Sequence, residues 1–421
     1  MIDEYLRRMR ERLTDYEAYA ACLKEAPYRG IRVNTLKVTA ERFKQMAPFA
    51  LEAVPWESNG FFITEERPGK TPYHDAGLFY VQEPSAMCAV PLLGVKPGER
   101  VLDLCSAPGG KGTQLAQAME GRGILVLNEK IPDRAKILLQ NVERLGVTNA
   151  VVTNADPSVL AERLEGYFDK ILVDAPCSGE GMLRKEPAAS EQWSAENVRM
   201  CAARQRQILQ EAVKMLAPGG RLVYSTCTFS EEEDEQNVEW FLKTFPTFAL
   251  SEQKKIYPHR ERGEGHFAAA FERKEGERTR YRPCKIAADR RSLSLWKEFE
   301  REFLSEELDG QFLGSGRGLS LVPDELFSLD GLRVLRAGLY LGEDAGGRFE
   351  PSHALAMGIN RRSLRKTVCL DERETALYLR GEQLPDRGVK GWCVAAFDGY
   401  PIGLMKGGNG LKNHYPKGLR H

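Results

Sequence analysis

"VLDLCSAPGGKGTQLAQAM", residues 101–119, reads as a short apolar strand, a turn containing Pro108, Gly109, Gly110 and Gly112, and then a helix. One such unit decides little; its repetition decides the fold. Apolar runs recur at 124–127, 150–153, 170–173 and 222–224, and helical stretches such as 133–145 and 197–216 lie between them, each long enough to cross back over a sheet. Strands this apolar, interleaved this regularly with helices, predict a doubly wound α/β core whose parallel sheet is covered on both faces. Its ligands should bind at the carboxyl ends of the strands.

At 421 residues the chain exceeds what one hydrophobic core serves, so about two to four domains are expected. "YRGIRVNTLKV" and "GFFITEE" look like strands of a smaller leading unit, and "GHFAAAFERKEGERTRYRP" runs from a last strand of the sheet into a charged linker. A helical segment at 292–304 opens a third region and "RVLRAGLYLGE" a compact final one. The expected division is 1–75, 76–275, 276–334 and 335–421. A composition of 42% hydrophobic and 29% charged residues is that of a globular protein. With no long apolar run and a charged start, "MIDEYLRRMR", neither a membrane span nor a signal peptide is read, and the expected location is cytoplasmic.

Nine cysteines without a C-x-x-C or a Cys/His cluster at zinc spacing predict reduced thiols and no structural metal. Sixty basic and sixty acidic residues cancel, so net charge makes no case for nucleic acid. Local charge does. Residues 401–421 hold Lys406, Lys412, Lys417 and Arg420 and no acid, and 358–367 add Arg361, Arg362, Arg365 and Lys366; of these, Arg361, Arg362, Lys412 and Lys417 are candidate phosphate contacts.

The glycine turn matches neither the nucleoside-triphosphate nor the dinucleotide fingerprint. Glu129 stands 19 residues beyond Gly110, at the end of the second strand, where a carboxylate accepts hydrogen bonds from ribose hydroxyls. A nucleoside lacking a pyrophosphate fits, and S-adenosylmethionine is the obvious one. Asp156 lies at the same sheet edge; it either meets the adenine amino group or simply starts a helix ahead of Pro157.

"ILVDAPCSGEGMLRKEP" closes the fourth strand with Asp174 and Cys177, and "LVYSTCTFSEEEDEQN" closes the fifth with Cys227. A buried cysteine is usually a small apolar filler, but adjacent strands of such a sheet end side by side, which brings both thiols and one carboxylate beside the cofactor. The acids after Cys227 read as structural: Ser230 and Glu233 form a predicted capping box, and residues 231–234 complement a helix N-terminus. Methylation of cytosine at carbon 5 is a reaction that needs a methyl donor, thiols and an acid. A thiolate adds to carbon 6 while an acid serves ring nitrogen 3, carbon 5 becomes enamine-like, and a second thiol has a use when the adduct is released.

In "DLCSAPGGK", "NEKIPDRAKILLQNVERLG", "VDAPCSGEGMLRKEP" and "YSTCTFSEEEDEQNV" the chain resembles the Sun (Nol/Nop/Sun) family of RNA 5-methylcytosine methyltransferases; the long fourth motif and the tail "KNHYPKGLR" are similar to its RsmF-like branch, which modifies small-subunit ribosomal RNA. The resemblance implies a seven-stranded Rossmann-like S-adenosylmethionine-dependent core with smaller N-terminal and C-terminal RNA-binding domains. It makes Cys227 the nucleophile, Cys177 the residue assisting release and Asp174 the acid facing the base, with Lys111 near the active site. Cofactor contacts are implied at Ala107, Pro108, Gly109, Gly110, Lys111, Glu129, Arg134, Asp156 and Asp174. The leading unit, matched mainly through "RVNTLK", becomes an RNA-recognition module; 276–334 an RRM-like segment or linker; the final unit a PUA-like domain. The partner is ribosomal RNA, free or in the assembled subunit, and the enzyme a monomer without metal or membrane. DNA cytosine methylases, with a Pro-Cys nucleophile, would instead point to Cys177. The rivals are another RNA such as tRNA, a methyltransferase of exocyclic amines or ribose hydroxyls, and a ribosome-assembly protein without catalysis.

Overall fold

A computed structural model describes residues 2–185, 193–277 and 281–421. Glu186 and Pro187 of the fourth motif, and Arg278, Thr279 and Arg280 of the charged linker, lie outside the described residues. Helices Ile2–Arg12 and Tyr16–Cys22 precede an antiparallel sheet of β1 (Arg29–Val33), β2 (Glu52–Ala53), β3 (Gly60–Ile63) and β4 (Phe79–Val81), in the order β2-β3-β1-β4. Arg32, Asn34 and Lys37 of "RVNTLK" reach into the protein, while Thr35 is exposed. Arg32 is fully buried, donating to Gln117 Oε1 at 2.8 Å, Gly110 O at 2.7 Å, Thr113 Oγ1 at 2.7 Å and Gln82, while Asn34 and Lys37 reach the carbonyls of Leu145 and Arg144. This satisfied network sews the leading unit to the glycine-loop helix Gly110–Ala118.

The central sheet contains β5 (Arg100–Asp103), β6 (Ile124–Asn128), β7 (Ala150–Thr153), β8 (Phe168–Asp174), β9 (Leu216–Thr226), β10 (Phe248–Ile256) and β11 (His266–Arg273). β7, β6, β5, β8 and β9 are parallel neighbours, and β11 and β10 extend the sheet antiparallel. Alternate residues enter opposite cores: Leu102, Ile171, Val173, Leu222 and Tyr224 face helices Ala195–Met215 and Glu235–Thr244, whereas Val101, Leu172 and Val223 face Gly110–Ala118 and Pro132–Arg144. Two apolar faces explain why these strands read as unbroken apolar runs. The chain leaves β5 toward β6 and β7, then returns to place β8 on the other side of β5. Helices diverge there, and a crevice opens at the carboxyl ends of β5 and β8.

Past the linker, helix Arg290–Phe303 buries Trp296 against β12 (Gln311–Ser315) and β13 (Gly318–Val322), and β14 (Val334–Ala337) pairs antiparallel with β7 as an eighth strand of the central sheet. β15 (Leu339–Asp344) and β16 (Phe349–Pro351) complete the sheet β12-β13-β15-β16, so strand pairing here runs across residue 335. A last sheet, β17 (Thr367–Leu370), β18 (Gly391–Phe397), β19 (Tyr400–Gly408) and β20 (Gly410–Asn413), closes the fold.

Candidate active site

A cleft of about 960 Å³ opens at the carboxyl edge of β5 to β9, and Ala107, Pro108, Glu129, Arg134, Asp156, Asp174, Cys177 and Cys227 all line it. Eight of the residues singled out by sequence thus meet in one cavity. Gly109 and Gly110 pack elsewhere: a Cβ on Gly109 would stand 3.1 Å from Leu138 Cδ1, and one on Gly110 3.3 Å from Tyr80 Cε1. Gly109, at φ 111°, takes a left-handed conformation that launches the helix.

Lys111, on that helix, turns under the cleft floor and pairs with Asp174, Nζ to Oδ2 at 2.8 Å. Asp174 Oδ1 accepts from Ser225 Oγ at 2.8 Å, and His266 Nε2 lies 3.9 Å from the same oxygen. Burial works to raise the Asp174 pKa, but the Lys111 ammonium, His266 and the Ser225 hydroxyl together outweigh it and hold the carboxyl below its usual range. Burial likewise opposes charge on Lys111, and Asp174 reverses that, leaving the lysine pKa raised. The pair is therefore an ammonium and a carboxylate. Burial, aided by Lys111, pushes His266 down to about 3, so its ring is neutral.

Cys177 Sγ and Cys227 Sγ stand 3.3 Å apart. The neighbouring Cys227 sulfur, and then burial, raise the Cys177 pKa well above an ordinary thiol's, which keeps it protonated. Their loops are bonded to each other: Gly181 N donates to Cys227 O at 2.9 Å, Phe229 N to Glu180 Oε2 at 3.1 Å, and the Ser178 and Thr228 hydroxyls meet at 2.9 Å. The expected capping box is absent. Helix Glu235–Thr244 starts behind Asp234, which makes no side-chain cap; Ser230 Oγ donates to Glu232, while Glu233 is fully buried and accepts from Ser178 N at 3.0 Å and Gln205 Nε2 at 2.7 Å. A carboxylate of this sequence block serves the neighbouring loop because the chain folds back beneath β8, an arrangement that local spacing does not encode. Asp234 binds Thr226 Oγ1 at 2.7 Å and Lys255 Nζ at 2.9 Å, also away from the helix end.

On the other side of the cleft, Glu129 Oε1 accepts from Ile131 N at 2.8 Å, and its Oε2 is 3.4 Å from Arg134, whose guanidinium donates to Ala107 O at 2.7 Å. Asp156 caps helix Pro157–Ala161 by accepting from Ser158 N at 3.1 Å and pairs with Lys130 at 2.6 Å, yet still lines the cleft. The helix-start reading of that residue holds, and its carboxylate also faces the cleft. An apolar wall of Leu104, Ile131 and Pro157 beside the Glu129 carboxylate fits an adenosine, the flat base against hydrocarbon and the ribose at the acid. Sequence reasoning missed Ser225, His266, Gln205 and the placement of Glu233; Ser225 alone carried a signal, being next but one to Cys227 on the strand facing Asp174.

The chain matches the family described as 16S rRNA methyltransferase RsmB/F over residues 90–272. It also matches the N-terminal domain of 16S rRNA methyltransferase RsmF over 1–84, the RsmF rRNA methyltransferase first C-terminal domain over 298–359 and the methyltransferase RsmF PUA domain over 365–421. Ribosomal RNA small subunit methyltransferase F of Aliivibrio salmonicida (strain LFI1238) is 34% identical, aligned over 99% of this chain and 97% of its own. The protein of that name from Vibrio cholerae serotype O1 (strain M66-2) is 34% identical over 95% and 92%. Among solved structures, a methyltransferase homolog protein from Pyrococcus horikoshii superposes with a TM-score of 0.56 at 31% identity, covering 62% of this chain and 91% of that one. NSun6 from Pyrococcus horikoshii shares the fold at 22% identity, with a TM-score of 0.58 over 65% and 97%.

Proposed function

The chain belongs to the RsmB/F family of 16S rRNA methyltransferases, and from that premise we propose that it methylates carbon 5 of cytosine in small-subunit ribosomal RNA through a covalent adduct on Cys227. What carries this reading is the pair of thiols 3.3 Å apart beside the Lys111–Asp174 ion pair, on the same cleft as Glu129. An amine or hydroxyl acceptor would need no cysteine.

Glu129, Asp156 and the Ala107–Pro108 turn that Arg134 steadies would hold S-adenosylmethionine, which when bound would supply an electrophilic methyl on a sulfonium. The Cys227 thiolate adds to carbon 6 of the cytosine. The Lys111–Asp174 pair gives nitrogen 3 the proton that the addition requires: the Lys111 ammonium passes a proton to the Asp174 carboxylate, which hands it on to nitrogen 3, leaving Lys111 neutral and Asp174 a carboxylate. Carbon 5 then carries the electron density needed to take the methyl. For release, Cys177 gives its proton to the departing Cys227 sulfur, its thiolate takes the proton from carbon 5, and nitrogen 3 returns its proton to the pair. Both cysteines end as thiols, so the next turnover starts when Cys227 loses a proton. Splitting one hard substitution into addition and elimination is what covalent catalysis contributes.

The RNA partner is supported by unpaired basic surface. Trp392, Lys406 and Lys412 stand in register on β18, β19 and β20, with Lys406 Nζ 5.0 Å from the Trp392 ring; like charges directly opposite each other cost stability unless an anion joins them. Arg42, Arg361 and Arg362 rim a groove of about 390 Å³ between the leading and trailing units, and no ion pair engages them among the described residues. A ribosomal RNA modifier of this kind works in the bacterial cytoplasm.

The deciding experiment mixes the protein with cytosine-containing ribosomal RNA and the methyl donor and runs denaturing gels. Cys177→Ala should trap an enzyme–RNA complex, and Cys227→Ala should form none. The reverse pattern would make Cys177 the nucleophile, and no complex with either would remove the covalent route.

A further inference from the structure

We propose that Gln205 and Glu233 are positioning residues that clamp the two peptides flanking Cys177 and so set its thiol against Cys227, which makes release of the methylated base fast. The proposal rests on the covalent reading above and concerns only its last step. Gln205 Nε2 donates to Pro176 O at 3.0 Å and to Glu233 Oε2 at 2.7 Å, and the same Glu233 oxygen accepts from Ser178 N at 3.0 Å. Pro176 and Ser178 bracket the cysteine. Both side chains are fully buried, and the second Glu233 oxygen is buried with no hydrogen-bond partner.

A half-satisfied buried carboxylate is a cost to the fold. An apolar residue would pack there more cheaply, but it could not hold an amide and a carbonyl on either side of one residue. The direction of the Gln205 amide is set from behind: Asn237 Nδ2 donates to Gln205 Oε1 at 2.9 Å, which turns Nε2 toward Pro176. Asn237 is itself held by Arg206 Nε at 2.7 Å. A cysteine has one rotatable bond before its sulfur, so the backbone at 177 decides where that sulfur stands. Proton exchange between two thiols requires contact, and a misplacement of about 1 Å can cost on the order of 10²-fold.

Gln205→Leu removes the donor at nearly constant volume, and Glu233→Gln keeps the shape while weakening the acceptor. Each should lower kcat, by about 10-fold or more for Gln205→Leu and several-fold for Glu233→Gln, with KM for RNA within about twofold. The telling readout is the denaturing gel. Both variants should accumulate covalent complex to a level between the wild type and Cys177→Ala, because addition continues while elimination slows. Wild-type turnover with no accumulation in either variant overturns the clamp. So does lost turnover without accumulation, which marks a damaged nucleophile or fold. Should Gln205→Leu fail to fold in a thermal melt, Glu233→Gln decides alone. If Cys177→Ala traps nothing, the covalent reading fails; if it traps complex and the clamp variants do not, only the clamp falls.

Discussion

On the cofactor side of the cleft, Glu129 and Asp156 are steadied by amides two residues further along their own loops, Ile131 N and Ser158 N, whereas on the thiol side the bonds run between loops about fifty residues apart in sequence, Ser178 to Thr228 and Ser178 to Glu233. Local bonds form whenever the turn forms, so they place a carboxylate at a strand end with little help from the rest of the protein. Bonds between loops exist only when β8 and β9 have paired and both helices behind them are docked. The first arrangement suits a group that must bind. The second suits two sulfurs whose separation has to be kept, since neither loop alone could fix it.

Three substitutions sharpen this contrast. Asp174→Asn strikes the thiol side and leaves Lys111 without its counter-charge; kcat should fall by about 10² to 10⁴-fold, with a much smaller change in affinity for S-adenosylmethionine by calorimetry. Equal losses in both would mean that the two sides act as one unit. Glu129→Gln keeps the loop geometry and removes the charge proposed to bind the ribose; KM for the methyl donor should rise by about 10-fold, while trapping of RNA by the Cys177→Ala background should persist. Loss of trapping would break the division.

Asp103, at the end of β5 between the two sides, gives the smallest effect. Burial raises its pKa to about 7, against the opposing pull of Ser106 and the Cys105 amide. The folded state therefore prefers the protonated acid: its contribution to stability is complete below about pH 4 and is lost as pH rises through about 7. Asp103→Asn should match the wild type in Tm near pH 5 and exceed it by about 2 °C or more near pH 8. A constant difference across that range would show that Asp103 does not titrate on folding.

Much of this was legible in the residues. Strand runs and crossover helices gave the doubly wound sheet, because an apolar run between turns has few other folds open to it. Asp174, Cys177, Cys227 and Glu129 stood out because the ends of parallel strands must converge. The acids after Cys227 show where that kind of reading stops. Ser230 and Glu233 have the spacing of a capping box, but Glu233 found an amide donor on the next loop and a glutamine on helix Ala195–Met215, and those hydrogen bonds took the place of a local cap worth about 1 kcal/mol. β14 was similarly hidden, since its pairing partner β7 lies about 180 residues earlier in the chain and an edge strand carries no mark of which edge it will join.

By itself, then, the order of residues determined the sheet, the crevice at its carboxyl edge and the chemical types gathered there, all of which follow from periodicities and spacings within some thirty residues. Only the tertiary structure decided that the two sulfurs touch, that the lysine and aspartate form an ion pair, that Arg32 is a buried tie to the glycine-loop helix and that Glu233 reaches back to the peptide of Ser178. Hydrogen bonds and ion pairs act over about 3 Å, and which groups come that close is settled by the packing of the whole chain.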